Sequence, residues 1–195
     1  DLPGTYSFYP KSRDERIVLD ALSDKSGADF PDLIIFVADA SNLKRNLLLF
    51  SQIADLNIPI IIALNMMDLA DRSGIEISVD ELALKLGVQV IPVSARKQEG
   101  IDRLKQAILN NSSIPLQLPS IEVESIAPEL INRIQNELKI DKPYTALQIA
   151  HQYEHLVFLS EKEKQKVAGL NKEFNFHSQK AQAAETIARY NFIND

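Results

Sequence analysis

The run Ile60-Ile61-Ile62-Ala63-Leu64-Asn65-Met66-Met67-Asp68 passes without a break from five apolar side chains into Asn-x-x-Asp. A short Ile-rich run with no polar alternation reads as a strand covered on both faces, as in a parallel sheet between helices. Two runs of the same kind lie on either side of it in sequence, Leu33–Val37 and Val88–Val93. Helical spacing fills the gaps. Asn46–Leu56 carries Leu47, Leu48, Phe50, Ile53, Ala54 and Leu56. Val79–Leu86 follows Ser78, with Glu81 placed to complete a capping box and Gly87 placed to end the helix. Ile101–Leu109 carries Leu104, Ala107 and Ile108 on one face. Strand and helix alternate three times, which predicts an α/β layer with right-handed crossovers.

The pattern changes after residue 110. Ser112–Ser120, with Pro115 and Pro119, reads as a linker. Beyond it the only strand-like run is Ile121–Val123. Pro128 suits the first turn of a helix over Glu129–Leu138. Tyr144–Val157 reads as a second helix. Ser160 and Glu163 form a capping box for a third, and Gln179–Tyr190 reads as a fourth. The expected organisation is an α/β domain over residues 1–118 and a small all-helical domain over 119–195.

Composition narrows the function classes. The 195 residues carry 21 basic and 27 acidic side chains, a net charge of −6, and the sequence pI is near 5.2. That argues against a protein whose main work is gripping nucleic-acid backbone. The charge is shared between the two parts, 12 basic and 16 acidic residues up to 118 and 9 and 11 after it, so neither is a basic arm. With no cysteine there is no disulfide scaffold, thiolate metal site or cysteine nucleophile. The longest apolar runs, Leu33–Ala38 and Ile58–Leu64, fall well short of the roughly 20 residues that span a bilayer.

Three short segments carry chemistry. Asp1-Leu2-Pro3-Gly4 opens the chain. Asn65-Met66-Met67-Asp68 follows the second strand, and Ser94-Ala95-Arg96 follows the third. Ligands of open α/β sheets bind outside the carboxyl ends of the strands, where the last two segments fall. A fixed carboxylate at Asp68 can accept two hydrogen bonds from the N1–H and N2–H₂ edge of guanine. Adenine offers no such pair and would leave the carboxylate unpaired. Asn65 is expected either to serve the other side of the base or to tie loops together. The Ala95 N–H is expected to donate to guanine O6. Asp1 suits Mg²⁺ held through water, and the Gly4 N–H suits a γ-phosphate.

At these residues the chain resembles a translation-factor-related GTPase and, more closely, the amino-terminal cytoplasmic region of the ferrous iron transport protein B family. The resemblance rests on Asp1-Leu2-Pro3-Gly4-Thr5-Tyr6-Ser7-Phe8 with Pro10, Ser12, Asp14 and Glu15; on Val37-Ala38-Asp39-Ala40; and on Asn42-Leu43-Lys44-Arg45-Asn46-Leu47. It continues through Ala63–Asp68 and Pro92–Arg96 with Gly100. It extends weakly to Pro143–Leu147 and Ala188–Ile193. It implies a partial P-loop GTPase (Ras-like) three-layer domain lacking its first strands, then a helical domain that modulates nucleotide release. It implies GTP or GDP, Mg²⁺ and a monovalent cation as cofactors. A membrane-embedded Fe²⁺ pathway in the same polypeptide is the implied partner, with a place on the cytoplasmic face of the bacterial inner membrane. The nucleotide set would be Asp1, Leu2, Pro3, Gly4, Asn65, Met66, Met67, Asp68, Ser94, Ala95 and Arg96. Residues from Thr5 to about Arg16 would form the second switch. Thr5 stands where many GTPases carry a catalytic glutamine, so slow turnover is expected and no catalytic residue is assigned.

The family's Gly-x-x-x-x-Gly-Lys-[Ser/Thr] phosphate loop occurs nowhere in these 195 residues, and the first residue is not Met. The chain is therefore expected to begin inside a longer protein, to bind GTP very weakly alone, and to leave the edge of Leu33–Val37 unpaired. Two other features have ordinary readings. His151-Gln152-Tyr153-Glu154-His155 matches an inverted zinc-peptidase pattern, but without a third ligand it reads as the solvent-facing edge of an amphipathic helix. Met66 and Met67 read as packing for the loop. The rival functions are a ribosome-assembly type of GTPase, which calls for a basic RNA-binding module, and a nucleotide-free scaffold for protein contact.

Overall fold

The structure, a computed structural model, describes residues 1–24, 27, 30–110 and 121–194. From the amino end the elements are α1 (Arg13–Ser23), β1 (Ile34–Asp39), α2 (Leu43–Ala54), β2 (Ile60–Asn65), α3 (Met67–Arg72), α4 (Val79–Leu86) and β3 (Gln89–Pro92). Then follow α5 (Ile101–Leu109), α6 (Pro128–Leu138), α7 (Pro143–Gln152), α8 (Glu161–Glu173) and α9 (Ser178–Asn194). The chain divides into two units. One holds Tyr6–Phe8 and, over the described residues, Pro31–Ser120; the other holds Asp1–Thr5, Tyr9–Phe30 and Ile121–Asp195. Where the sequence suggested one cut at residue 118, Tyr9–Phe30 groups with the carboxy-terminal helices. The linker expected over 112–120 lies outside the described residues.

In the first unit the three expected strands form a parallel sheet in the order β1-β2-β3. Register pairs Phe36 with Ile62, Asp39 with Asn65, and Ile62 with Val90. β2 is the central strand, and Ile60 to Leu64 are all buried, which is why that run has no polar alternation. Wholly burying one such side chain stabilises the fold by about 2 kcal/mol. α2 turns Leu47, Phe50 and Ile53 inward, and Phe50 meets Phe36 of β1 edge-on at 5.9 Å. This helix begins three residues before the expected Asn46. Asp39 accepts from the Ser41 N–H and shapes a 3-10 turn that delivers the chain into the helix at Leu43. α4 keeps half of its expected capping box: Ser78 Oγ accepts from the Glu81 N–H. Gly87 ends it with φ +65°, as expected of a glycine stop. On its far side from β2, β1 has no strand partner among the described residues, and Val37 is 60% exposed.

The second unit is helical. Leu130, Ile131 and Ile134 of α6, Leu147 and Ile149 of α7, and Val167 and Leu170 of α8 are buried. Pro128 opens α6 as expected, and α8 carries the full Ser160–Glu163 capping box. One helix is added and two expectations are corrected. Residues 13–23, for which the sequence suggested no element, form α1, with Ser12 Oγ capping the Glu15 N–H and Val18, Leu19 and Leu22 buried. Val123–Ile126 is a 3-10 turn, so Ile121–Val123 is no strand. α7 stops at Gln152, where a turn puts Leu156 in the core and leaves Val157, which the longer helix would have buried, 73% exposed. Among the described residues no helix is long and apolar enough to cross a membrane.

Candidate nucleotide site

The carboxyl ends of β2 and β3 are tied together by two side chains. At the end of β2, Met66 takes a left-handed conformation, φ +61°, uncommon for a residue with a side chain and a mark of a constrained site. That turn redirects the chain into α3, whose first bonds run from the Leu69 and Ala70 N–H groups to the Met66 carbonyl. Asp68 is thereby placed in the first turn of α3, half-buried. At the end of β3 the ladder extends by one bond, Val93 N–H to Leu64 O at 2.8 Å. Ser94 and Glu99 then exchange two backbone bonds of 3.0 and 3.1 Å and close a small loop around Ala95–Gln98. Gly100 leaves this loop with φ +78°. A Cβ there would stand 2.2 Å from the Pro92 carbonyl oxygen, so the loop needs glycine at this position.

The side-chain ties follow from that placement. The Ala95 N–H donates to Asn65 Oδ1 at 3.1 Å. Ser94 Oγ, buried, donates to Asp68 Oδ1 at 3.1 Å. Asp68 Oδ2 accepts no hydrogen bond among the described residues. Of the two roles open to Asn65, the structure displays the tying of loops, and it does so with the Ala95 N–H expected to face guanine O6. Arg96 is exposed. Met66 is 43% exposed and Met67 half-buried, so Met66 does not pack the loop as expected. Asp1–Gly4 belong to the other unit, without regular secondary structure; Asp1, Leu2 and Gly4 are exposed. Four of the eleven expected nucleotide residues are thus joined directly by hydrogen bonds: Asn65, Asp68, Ser94 and Ala95.

Other constellations are corrected or added. His151 sits on α7 and His155 in the turn beyond it, so the two imidazoles do not share a helix face. His151 is no solvent-facing edge either. Its ring lies edge-on between Tyr9 and Phe176, each 5.0 Å away, and its Nδ1 is 2.6 Å from Ser178 Oγ. Burial pulls its pKa down to about 4 against the opposing pull of Glu185. Among the described residues no three His, Asp or Glu side chains gather as metal ligands. A cavity of about 470 Å³ opens in the helical unit beside Pro128, Phe174, Phe176 and Ala181, and it includes none of the loop residues above. Sequence reading missed the contacts of Tyr6, Phe8 and Tyr9. The i, i+4 spacing of Glu185 and Arg189 pointed to their pairing with each other, and no local signal pointed to Tyr9 as a third member.

A parallel sheet with polar loops at its carboxyl ends, joined to a helical part, is part of a P-loop GTPase fold. The sequence profile described as Ferrous iron transport protein B matches residues 1–108. The chain belongs to the ferrous iron transport protein B family. It is 41% identical over 150 residues to the Fe(2+) transporter FeoB of Legionella pneumophila (strain Paris), covering 74% of this chain and 19% of that protein. The chain thus spans about one fifth of that relative's length. Several solved structures resemble all of it, two of them as follows. The cytosolic domain of L. pneumophila FeoB does so at 34% identity and TM-score 0.76, over 76% of that chain. The mGMPPNP-bound NFeoB of S. thermophilus does so at 30% identity and TM-score 0.69, over 75% of that chain.

Proposed function

We propose that this chain forms the guanine-nucleotide-binding and regulatory portion of a ferrous iron membrane transporter, on the cytoplasmic face, where GTP binding and slow hydrolysis are coupled to Fe²⁺ uptake. The observation that carries the reading is the double tie Asn65–Ala95 and Asp68–Ser94 at the sheet's carboxyl edge. It holds one carboxylate oxygen in place and leaves the other for a ligand donor. The mGMPPNP-bound S. thermophilus relative supports a guanine nucleotide as that ligand. Asp68 then accepts from guanine N1–H and N2–H₂, and an adenine would leave it unpaired. The Ala95 N–H, now bonded to Asn65, turns to O6 or shares itself between the two acceptors. Met66 offers the base an apolar surface, and Met67 and Arg96 complete the two loops.

Asp1-Leu2-Pro3-Gly4 serves the phosphate end in this reading. Mg²⁺ takes one or two carboxylates together with phosphates and water. The single Asp1 carboxylate fits that role only in company with the nucleotide's own oxygens. The helical part tunes nucleotide release. Family membership disfavours a ribosome-assembly GTPase. A nucleotide-free scaffold remains an outcome of the test.

In the full-length transporter of which this segment is proposed to be part, Asp68→Asn shifts preference from GTP toward xanthosine triphosphate by tenfold or more, read by competition binding. An unchanged GTP preference rejects Asp68 as the guanine reader. Titration calorimetry on the 195-residue chain itself gives no submicromolar GTP binding, because the glycine-rich phosphate cradle and its Lys are not among its residues. Submicromolar binding overturns that part of the reading.

A further inference from the structure

The most buried face of α9 is polar. Glu185 and Arg189, one turn apart, are both fully buried, and Arg189 Nε donates to Glu185 Oε1 at 2.6 Å. The guanidinium also lies over the Tyr144 ring, 4.7 Å from its centroid. The other Glu185 oxygen, Oε2, accepts from the Tyr9 phenol. Burial first, and then the Glu185 carboxylate, hold that phenol far above its ordinary pKa, so Tyr9 keeps its proton and is the donor. The Tyr9 ring rests edge-on against His151.

A buried ion pair is a poor way to stabilise a core, since apolar side chains of similar volume do as well or better. What it supplies here is selectivity. One carboxylate oxygen is committed to Arg189, and the other needs a donor. An apolar side chain at position 9 leaves a buried carboxylate oxygen short of one hydrogen bond. The preceding residue is anchored elsewhere. Phe8 is buried in the sheet-bearing unit and its N–H donates to Gln52 Oε1 at 2.7 Å, while Tyr6 in the same unit lies beneath Arg45, 3.8 Å from guanidinium carbon to ring centroid. Two consecutive residues are therefore held by different units. Three residues after Tyr9, Ser12 caps α1.

We propose that Tyr9 is a latch: its phenol, seated on the Glu185–Arg189 pair, fixes the segment following Asp1-Leu2-Pro3-Gly4 to the helical unit and sets how readily α1 opens. Tyr9 is a positioning residue, and the hydroxyl rather than the ring carries the effect. The latch gives the helical part a direct hold on the stretch that the sequence marks as a switch. That regulatory sense rests on the nucleotide reading above; the latch itself is measured without nucleotide, so the two fail separately.

Hydrogen exchange on the 195-residue chain, followed helix by helix, tests it. Tyr9→Phe keeps the ring and removes only the donor. It is expected to speed exchange of the α1 amides tenfold or more, with α6 and α7 within twofold of the parent. In a chain carrying Glu185→Leu and Arg189→Leu, the same Tyr9→Phe change is expected to shift α1 by less than threefold, because the phenol no longer has the charged carboxylate to bond, although Gln148 stays beside it. Unchanged α1 exchange after Tyr9→Phe overturns the latch. So does an equal tenfold rise in both backgrounds, or a parallel rise in α1, α6 and α7. Should the Leu background not fold, Tyr9→Leu decides: a latch makes Phe nearly as damaging as Leu, and a purely apolar contact makes Phe silent.

Discussion

β2 and the buried face of α9 solve the same problem with opposite chemistry. Both bury side chains completely. β2 fills its place with Ile60, Ile61, Ile62, Ala63 and Leu64, and nothing polar is buried there beyond the strand's own hydrogen bonds. α9 puts Ala181, Glu185 and Arg189 inside, with Tyr9 and Tyr144 as partners. Apolar burial is additive and undirected, so many neighbours can cover β2. A buried ion pair is directional and tolerates few, so it selects which segment of chain can cover α9. The sheet unit is specified by what it excludes from water, the helical unit partly by which groups must find each other.

The contrast can be broken or sharpened by measurement. Arg189→Leu leaves Glu185 buried without its cation and is expected to destabilise the helical unit by about 4 kcal/mol. Adding Glu185→Leu is expected to recover most of that loss, as read by urea unfolding. A double variant no more stable than the single one shows that the pair is more than a matched set. Ile62→Ala in β2 is expected to cost about 3 kcal/mol through lost burial and a cavity. No single second substitution at a neighbouring strand position is expected to restore it, and a full rescue by one would make β2 as partner-specific as α9.

The smallest effect comes from His151. Its pKa is about 4 in the folded unit and 6.5 as an ordinary histidine. Between those values the unfolded chain binds the extra proton, so stability is full above pH 6.5 and falls as the pH drops toward 4. From pH 7 to pH 5 the loss is about 2 kcal/mol. His151→Gln is expected to flatten that part of the pH profile of urea midpoints. An unaltered slope assigns it to other groups.

Much of this was legible in the sequence, for reasons visible in single residues. β2 was readable because burial on both faces removes alternation, and β1 and β3 because their runs stay largely apolar although Val37 and Gln89 are exposed. The cap at Ser160 and the stop at Gly87 were readable because helix ends demand particular side chains locally. α1 carried usable signals, Ser12 with Glu15 three residues on and Val18, Leu19 and Leu22 on one face, but its likeness to a switch segment hid them. The end of α7 was not readable, because Leu156 and Val157 are both apolar and only the surrounding core decides which is buried. The site divides the same way. Asn65 and Asp68 announced themselves by type and spacing, whereas the Asn65 bond to the Ala95 N–H depends on how two loops meet.

By itself the sequence determined the strand set, the position of the polar loops at the carboxyl ends of two strands, and the helical character of the last third, because hydropathy period and capping chemistry act over a few residues. The tertiary structure alone decided that β2 is central, that Ala95 faces Asn65, and that Tyr9 leaves its neighbour Phe8 to join Glu185 and Arg189. Those choices depend on partners far apart in the chain, 176 residues in the case of Tyr9 and Glu185, and no local pattern encodes a hydrogen bond across that distance.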